Sequence, residues 1–418
     1  MLAGTPGVAS TESRVYAIPT VKTWTRCLAA GAVALLAWRG AQVHDHRPLV
    51  PVRPPATRPG HVDSRALIHV HSNRSGDGRA ELPEIVDAAI AAGVQVVYLT
   101  DHDTQGYALT HQEGWYRGVL VLAGIETRFF DTDHGYWGTG HMLILGAKDL
   151  PEPIGKMNWP EVIALGTRCG GLTFIAHATT PRVPWRGGTD GITGAEMINL
   201  FSGYDANPPW QLLGGALLSL LNPVYGARLI SGGETGELAY FDAWAARQRM
   251  VGIGGADAHA NIPISAHTQL AFPSMQSLFS VMSTHLVLRG ALDPDTEHAR
   301  AQVLAALREG RAYVSWDCLA DPTGFAFVAT DAAGEHEMGE EVRGDVTLRL
   351  TAPEVPGVHV RLLLDGLPVA SAEGPSLSFS PVVPGAYRAE AWVRHSSAFF
   401  GLPEDDLWIT SNPIYLRH

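Results

Sequence analysis

Cysteine is nearly missing from this chain. Cys27, Cys169 and Cys318 are the only three in 418 residues, and no CxxC pair occurs. That excludes a disulfide framework and the cysteine-rich zinc and redox motifs; one Cys169–Cys318 bridge is the most that can form. Lysine is as scarce: Lys22, Lys148 and Lys156 are the only lysines among 30 basic residues, which reads as the codon bias of a GC-rich genome. A basic excess is absent too. The formal charge of −12 argues against a nucleic-acid partner or an acidic-membrane footprint, either of which needs a basic face. No apolar run approaches the roughly 20 residues of a membrane-spanning helix. With 46% apolar and 17% charged residues, the chain is neither disordered nor fibrous, and its length allows one large domain and a small one.

What the chain has instead is histidine, 18 in all, and their positions are informative. Residues 27–38 (CLAAGAVALLAW) form a short apolar run after Lys22 and Arg26. The pattern suits the core of a signal peptide, with export to the periplasm or an N-terminal membrane association as its consequence, against a plain N-terminal extension of a cytoplasmic protein. A Pro/Arg-rich linker follows, so 1–62 is read as targeting segment plus linker. From 63 to 317, short apolar runs alternate with helical stripes. The strands are expected at 66–70, 94–100, 118–125, 142–146, 172–176, 196–200 and 250–256. Helices are expected near 82–92, 160–169, 208–221, 237–249, 274–288 and 296–309. Such alternation predicts an α/β domain with a parallel sheet closed, or nearly closed, into a distorted (β/α)7 barrel. From 318 to 418, short alternating strands and turn signals such as Asp365-Gly366 predict a small all-β, immunoglobulin-like sandwich.

Six segments carry ionisable residues, mostly where an apolar strand ends. They are His69-Val70-His71 with Ser75-Gly76-Asp77-Gly78, Thr100-Asp101-His102-Asp103, Gly124-Ile125-Glu126, Gly140-His141, Ala176-His177, and Asp257-Ala258-His259. In an extended strand His69 and His71 point to one side. Each segment alone reads as well as a satisfied structural polar group. Together they place six histidines and three carboxylates at the end of a barrel where such folds bind ligands. Burying those groups unpaired is costly, and shared coordination to cations removes the cost. Nine ligands exceed the roughly four that one zinc-like ion takes, so two or three divalent ions (Zn, Mn or Fe) are expected.

In this order the motifs resemble the PHP (polymerase and histidinol phosphatase) superfamily. The resemblance covers residues 64 to about 315. It implies a distorted seven-stranded barrel with a trinuclear metal site: one ion held by His69, His71, Glu126 and Asp257, a second by Asp77, His102 and His259, a third by Glu126, His141 and His177, with Glu126 bridging. The exported character and the ending Trp408-Ile409-Thr410-Ser411-Asn412-Pro413 resemble the carbaryl-hydrolase-like branch. Two departures stand out: Asp77 sits in S-G-D-G where the family has S-D-G, and His177 is followed by Ala178-Thr179-Thr180-Pro181 where the family has A-H-P.

Three divalent cations against three carboxylates leave a positive cavity that attracts a phosphate dianion and acidifies water. The expected function is a phosphoesterase acting on a small molecule, with a carboxyl-ester or carbamate hydrolase as alternative on the same parts. Asp101 and Asp103 are candidates to orient an imidazole or give a proton, against a helix-capping role. Arg74 and Arg128 are candidates to clamp phosphate, against surface charges. Asp133 and His134 are placed near the mouth. The apolar stretch 212–221 is either a lid or an ordinary packing helix. An amidohydrolase would need a lysine inside a central strand, which the sequence does not offer. A non-catalytic exported binding protein would not need so large a cluster.

Overall fold

A computed structural model describes residues 21–53, 58–104, 112–129, 140–150, 157–232, 236–259, 262–263, 269–270 and 272–418, by backbone alone at 21–31, 262–263 and 269–270. His111, Asp133, His134, Lys156 and His267 lie outside it. Seven strands form a closed barrel: β1 (Val62–Val70), β2 (Val96–Leu99), β3 (Val119–Arg128), β4 (His141–Leu145), β5 (Leu172–Ala176), β6 (Gly194–Asn199) and β7 (Val251–Ala258), with β7 pairing back onto β1. Helices α2 (Leu82–Ala91), α3 (Trp159–Arg168) and α7 (Glu237–Ala245) pack outside, after α1 (Val21–His44) and alongside α4 (Leu200–Ala206), α5 (Pro209–Ser219), α6 (Pro223–Ser231) and α8 (Met275–Phe279). Helix α9 (Thr296–Glu309) packs near β3, β7 and β8 (Ser283–Leu288).

The barrel is not wholly parallel. β4 runs antiparallel to both β3 and β5. Side-chain alternation reports which face is buried and carries no strand direction, so this reversal was invisible in the sequence. The expected helix at 274–288 is also divided: α8 occupies only its start, and the β-branched, apolar run STHLVL becomes β8, antiparallel to β1. The predicted 208–221 helix is matched by α5, and α6 follows it after a short turn.

The barrel interior is filled by one alternating set of side chains. Ala66 and Ile68, Val96 and Tyr98, Leu120 and Leu122, Leu143 and Leu145, Phe174 and Ala176, and Val251 and Ile253 cluster with Val303 and Leu307 of α9. The intervening residues, such as Leu67, Val97, Val121 and Ile175, pack outward in the larger cluster with the helices.

β8 continues through β9 (Ala312–Ser315) into the β-rich C-terminal region. There the sheet joins Pro403–Ser411, Gly385–Ser396, Ile414–Arg417 and Glu341–Arg343, while Val358–Leu364 pairs with Gly385–Ser396. A second sheet holds Glu335–Glu337, Ala326–Thr330, Thr347–Thr351 and Ser376–Phe379. The ending singled out in the sequence is a seam. Trp408 Nε1 donates to Ala320 O (3.0 Å), and the Asn412 amide accepts from Gly252 N (2.6 Å) and donates to Gly252 O and Ala312 O (2.8 Å each). Arg388, buried, reaches Asp242 of α7 at 2.8 Å. Cys169 and Cys318 are free, so no bridge forms.

At the start of β1, the barrel end away from His69 and His71, His285 is held between two carboxylates. Its Nδ1 donates to Asp63 (2.7 Å) and its Nε2 to Asp317 (3.0 Å), while Arg65 reaches Asp317 at 2.9 Å. Burial opposes a charge on His285, but Asp63 and then Asp317 outweigh it and its pKa is pushed up to about 10. Both ring nitrogens donate only in the imidazolium form, so the geometry and the direction agree. A raised folded-state pKa stabilises the fold fully below the unfolded value near 6.5, and that contribution is lost as pH rises through about 10. His285→Gln should therefore lower the unfolding free energy by about 3 kcal/mol at pH 6, with the difference shrinking as pH rises above about 6.5 and gone above about 10; urea titrations across that range measure it.

Candidate metal centre

The interior face of the barrel changes character from one end to the other. On β3 the inward series Leu120, Leu122, Gly124 ends in Glu126; on β7 the series Val251, Ile253, Gly255 ends in Asp257. β4 runs the other way, so its first residue, His141, falls at the same end as the last residues of its neighbours: it pairs with Ala176 of β5 and Arg128 of β3. The placement of His141 before its strand is thus a consequence of strand reversal.

Two histidines reach the interior by a different route. After Ala66 and Ile68 the next inward residue of β1 would be Val70, yet Val70 packs in the outer cluster. His69 has φ 68° and the pairing of β1 with both neighbours shifts register around it. This bulge flips the alternation and turns His69 inward. His177, with φ 28°, does the same after Ala176, and Asp257 has φ 43°. Left-handed backbone at three non-glycine residues costs energy and is found where a site holds it in place. The simple i, i+2 argument for His69 and His71 therefore gives way to a local irregularity.

All nine side chains named from the motifs converge in one cluster, and seven of them line one cavity, His69 and His71 being buried beside it. Four groups of ligand atoms lie within 4.8 Å of one another: His71, Asp77, His102 and His259; His69, His177 and Asp257; His69, His71 and Glu126; and His102, Glu126 and His141. The grouping differs in detail from the one the resemblance implies, since His71 also joins the Asp77 group. Glu126 is the centre. Its Oε1 lies 2.7 Å from His141 Nδ1 and 2.9 Å from His177 Nε2; its Oε2 lies 3.1 Å from His69 and His71 and 3.2 Å from His102. Asp77, half-exposed, sits 3.0 Å from His102 and 3.5 Å from His259.

The donor set fits divalent cations. His69 Nε2, His71 Nε2 and His102 Nδ1 are buried without a hydrogen bond although each is close to a carboxylate oxygen. Nitrogens and oxygens facing one another at that distance without hydrogen-bond geometry suit vertices of shared coordination. Charge points the same way. Burial disfavours a carboxylate at Glu126, yet His69, His102 and His141 hold its pKa well below the ordinary range. Asp257 is likewise held down by His69, His71 and His259 against burial. In turn, burial opposes a charge on His177, but Glu126 leads the carboxylates that push its pKa up to about 9. Without cations the site balances its carboxylates with protons.

Sequence reasoning missed the residues that aim this set. Glu196, buried on β6, accepts from His69 Nδ1 at 2.7 Å, from His177 N at 2.6 Å and from Asn199 Nδ2 at 2.7 Å. It leaves His69 Nε2 turned toward Glu126 and Asp257, the arrangement in which a carboxylate orients a metal-binding imidazole. The available signal was a carboxylate inside an otherwise apolar strand, GAEMIN. A second signal was the run Gly252-Ile253-Gly254-Gly255: a Cβ at Gly255 would lie 2.0 Å from Glu196 Oε1. Ser75 accepts from His71 Nδ1 at 2.8 Å.

Asp101 is placed elsewhere than expected. Both of its oxygens accept from Ser72, from the backbone N–H (2.7 Å) and the hydroxyl (2.8 Å), so it braces the turn after β1 and is absent from the cavity lining. Asp103 accepts from Arg128 Nε at 3.0 Å, and Arg128 lines the cavity. Arg74 reaches Gln112 at 2.9 Å. Arg182, not singled out from the sequence, also lines the cavity and pairs with Asp205 at 2.8 Å. The cavity measures about 990 Å³, and Leu200, Phe201, Tyr204, Ile230 and Leu278 add apolar surface to its lining, with the Phe201 ring 6.0 Å from that of His259.

Cation binding must displace the proton that His177 keeps up to about pH 9. The affinity for zinc or manganese should therefore rise between pH 6 and 9, with protons released on binding; calorimetry in buffers of different ionisation enthalpy measures both. Gly255→Ala should weaken binding by about ten- to a hundredfold by displacing Glu196.

Comparison with known proteins adds a family match over part of the chain. No curated protein matches. A solved structure of a provisionally named metal-dependent phosphoesterase from Bifidobacterium adolescentis is similar at 18% identity, covering 49% of this chain and 89% of that one, with a TM-score of 0.30. Residues 68–163 match the family model of the PHP domain, a stretch that carries His69, His71, Asp77, His102, Glu126 and His141.

Proposed function

We propose that this chain is a metal-dependent hydrolase whose multinuclear centre activates water, acting as a phosphoesterase on a small molecule. The observation that carries the reading is Glu126, within 3.2 Å of five imidazoles contributed by β1, the turns after β1, β2 and β5, and β4. No hydrogen-bonding scheme needs so many imidazoles around one carboxylate, whereas a bridging carboxylate does. The PHP match over the first six of the nine residues supports it.

Divalent cations held here would lower the pKa of water and neutralise charge developing on a phosphoryl group. The protein's own part is geometric. Glu126 joins the ligand groups, Glu196 fixes the ring of His69, and Asp257 approaches the Nε2 atoms of His69 and His71 at 3.4 Å. Arg128 and Arg182 place positive charge at the cavity wall, each steadied by a carboxylate. Leu200, Phe201 and Leu278 add apolar surface to the cavity lining. That apolar wall favours a second reading, cleavage of a carboxyl ester or carbamate, because the same cations would polarise a carbonyl.

The test is hydrolysis of p-nitrophenyl phosphate and p-nitrophenyl acetate with manganese or zinc added. Metal-dependent turnover of the phosphate is expected, reduced more than about a hundredfold in Asp257→Ala, since losing a ligand should exceed the loss of a supporting residue. Turnover of the acetate alone would replace phosphoesterase with the ester or carbamate reading. No metal-dependent turnover of either would favour a non-catalytic binding protein.

A further inference from the structure

Helix α5 is built inside out. Its solvent side carries Trp210 (72% exposed), Leu213 (62%) and Leu217 (58%), continued beyond the helix by Leu220 (81%). These positions are i, i+3, i+7 and i+10, one face of a helix. The opposite side carries the buried Gly215 and Ser219, followed by Asn222, beside the half-buried Leu212. They pack against α6 so tightly that a Cβ at Gly226 would lie 1.9 Å from Ser219 Oγ. A helix in water turns its large apolar residues inward. One that packs through small residues and shows leucine and tryptophan outward follows the rule for helices bordered by lipid. Residues 206–227 contain no charged residue at all.

The face is continuous with two other segments. Val33, Leu35, Leu36 and Trp38 of α1 are exposed, as are Phe400 and Leu402. The end of α1 is tied to the end of α5: Asn222 Nδ2 donates to Val43 O at 3.0 Å, and His44 Nδ1 lies 3.2 Å from Leu221 O. The Arg39 guanidinium lies against Gly401 and stacks 4.4 Å from the Trp38 ring centroid. In sequence the segment 21–53 holds Lys22, Arg26, Arg39, Arg47 and Arg53 against Asp45, in a chain of net charge −12; Arg53 pairs with Glu354 at 3.3 Å. The overall acidity thus hides a locally basic stretch of sequence, of which Arg39 lies at the apolar face.

We propose that the joined outer faces of α5, α1 and the 400–402 turn dock on the surface of an anionic lipid bilayer. Apolar side chains would enter the acyl boundary while the arginines meet the headgroups and tryptophans sit between. Among the described residues no helix is long and apolar enough to cross a membrane. A second copy of the chain suits this face less well, because a two-fold contact would set the basic stretch against itself. Phe201 and Tyr204 of α4 and Ile230 of α6 line the metal cavity on either side of α5 in sequence, so docking would bring the cavity's apolar wall near the lipid.

The test uses the whole chain and vesicles of phosphatidylcholine, with and without roughly a third phosphatidylglycerol. The protein should float with the anionic vesicles, and hydrogen exchange over residues 209–221 should slow when they are added. The variant Leu213→Ser/Leu217→Ser/Leu220→Ser keeps α1 intact and alters only exposed positions. It should keep its melting temperature and partition at least about tenfold less, from the loss of three inserted leucines. Four results would overturn the proposal: a wild type that does not float, a variant that floats equally well, exchange at 209–221 indifferent to lipid, or a lipid-free dimer that the variant abolishes.

Discussion

One buried carboxylate sets the terms for this structure. Glu126 is almost completely shielded from water, and five imidazoles lie within 3.2 Å of its carboxylate. Stripped of hydration, its charge must be balanced by protons on those rings or by cations between them. The barrel is arranged around that requirement. Strand reversal brings in His141, bulged backbone brings in His69 and His177, and Glu196 lines up the result. An apolar interior below the centre keeps the local dielectric low, which strengthens every one of these interactions.

The two ends of β1 make an instructive pair. At one end His285 is charged and enclosed by Asp63 and Asp317, with Arg65 completing a neutral, fully hydrogen-bonded group. At the other, His69, His71 and His102 each leave a buried nitrogen without a hydrogen bond. Both clusters combine histidine with carboxylate. Only the second leaves its donor atoms facing one another unsatisfied, and that difference separates a structural ion pair from a place for metal.

Much of this was readable from the chain because barrel strands are short apolar runs, and an ionisable residue closing such a run is conspicuous. Glu126 after VLVLAGI and His177 after LTFIA are of that kind. Glu196 was hidden because it lies within its strand, where one carboxylate among apolar neighbours looks like an edge residue. The direction of β4 was hidden because alternation is the same read either way. Asp101 was misjudged because its neighbour His102 drew it into the constellation, while its real partner, Ser72, lies a strand away. The bulge at His69 depends on pairing with β2 and β7 together, information no local window contains.

The central claim is that nine side chains hold a cluster of cations. Metal analysis of the purified protein tests it most directly, comparing wild type with Glu126→Gln under identical preparation. The account predicts roughly two to three equivalents of divalent metal per wild-type chain, given about four ligands per ion and a shared carboxylate. It predicts a clear deficit in Glu126→Gln, which loses the bridging charge while keeping its volume. A wild type that binds no divalent metal on reconstitution, or a variant that binds as much, would contradict it.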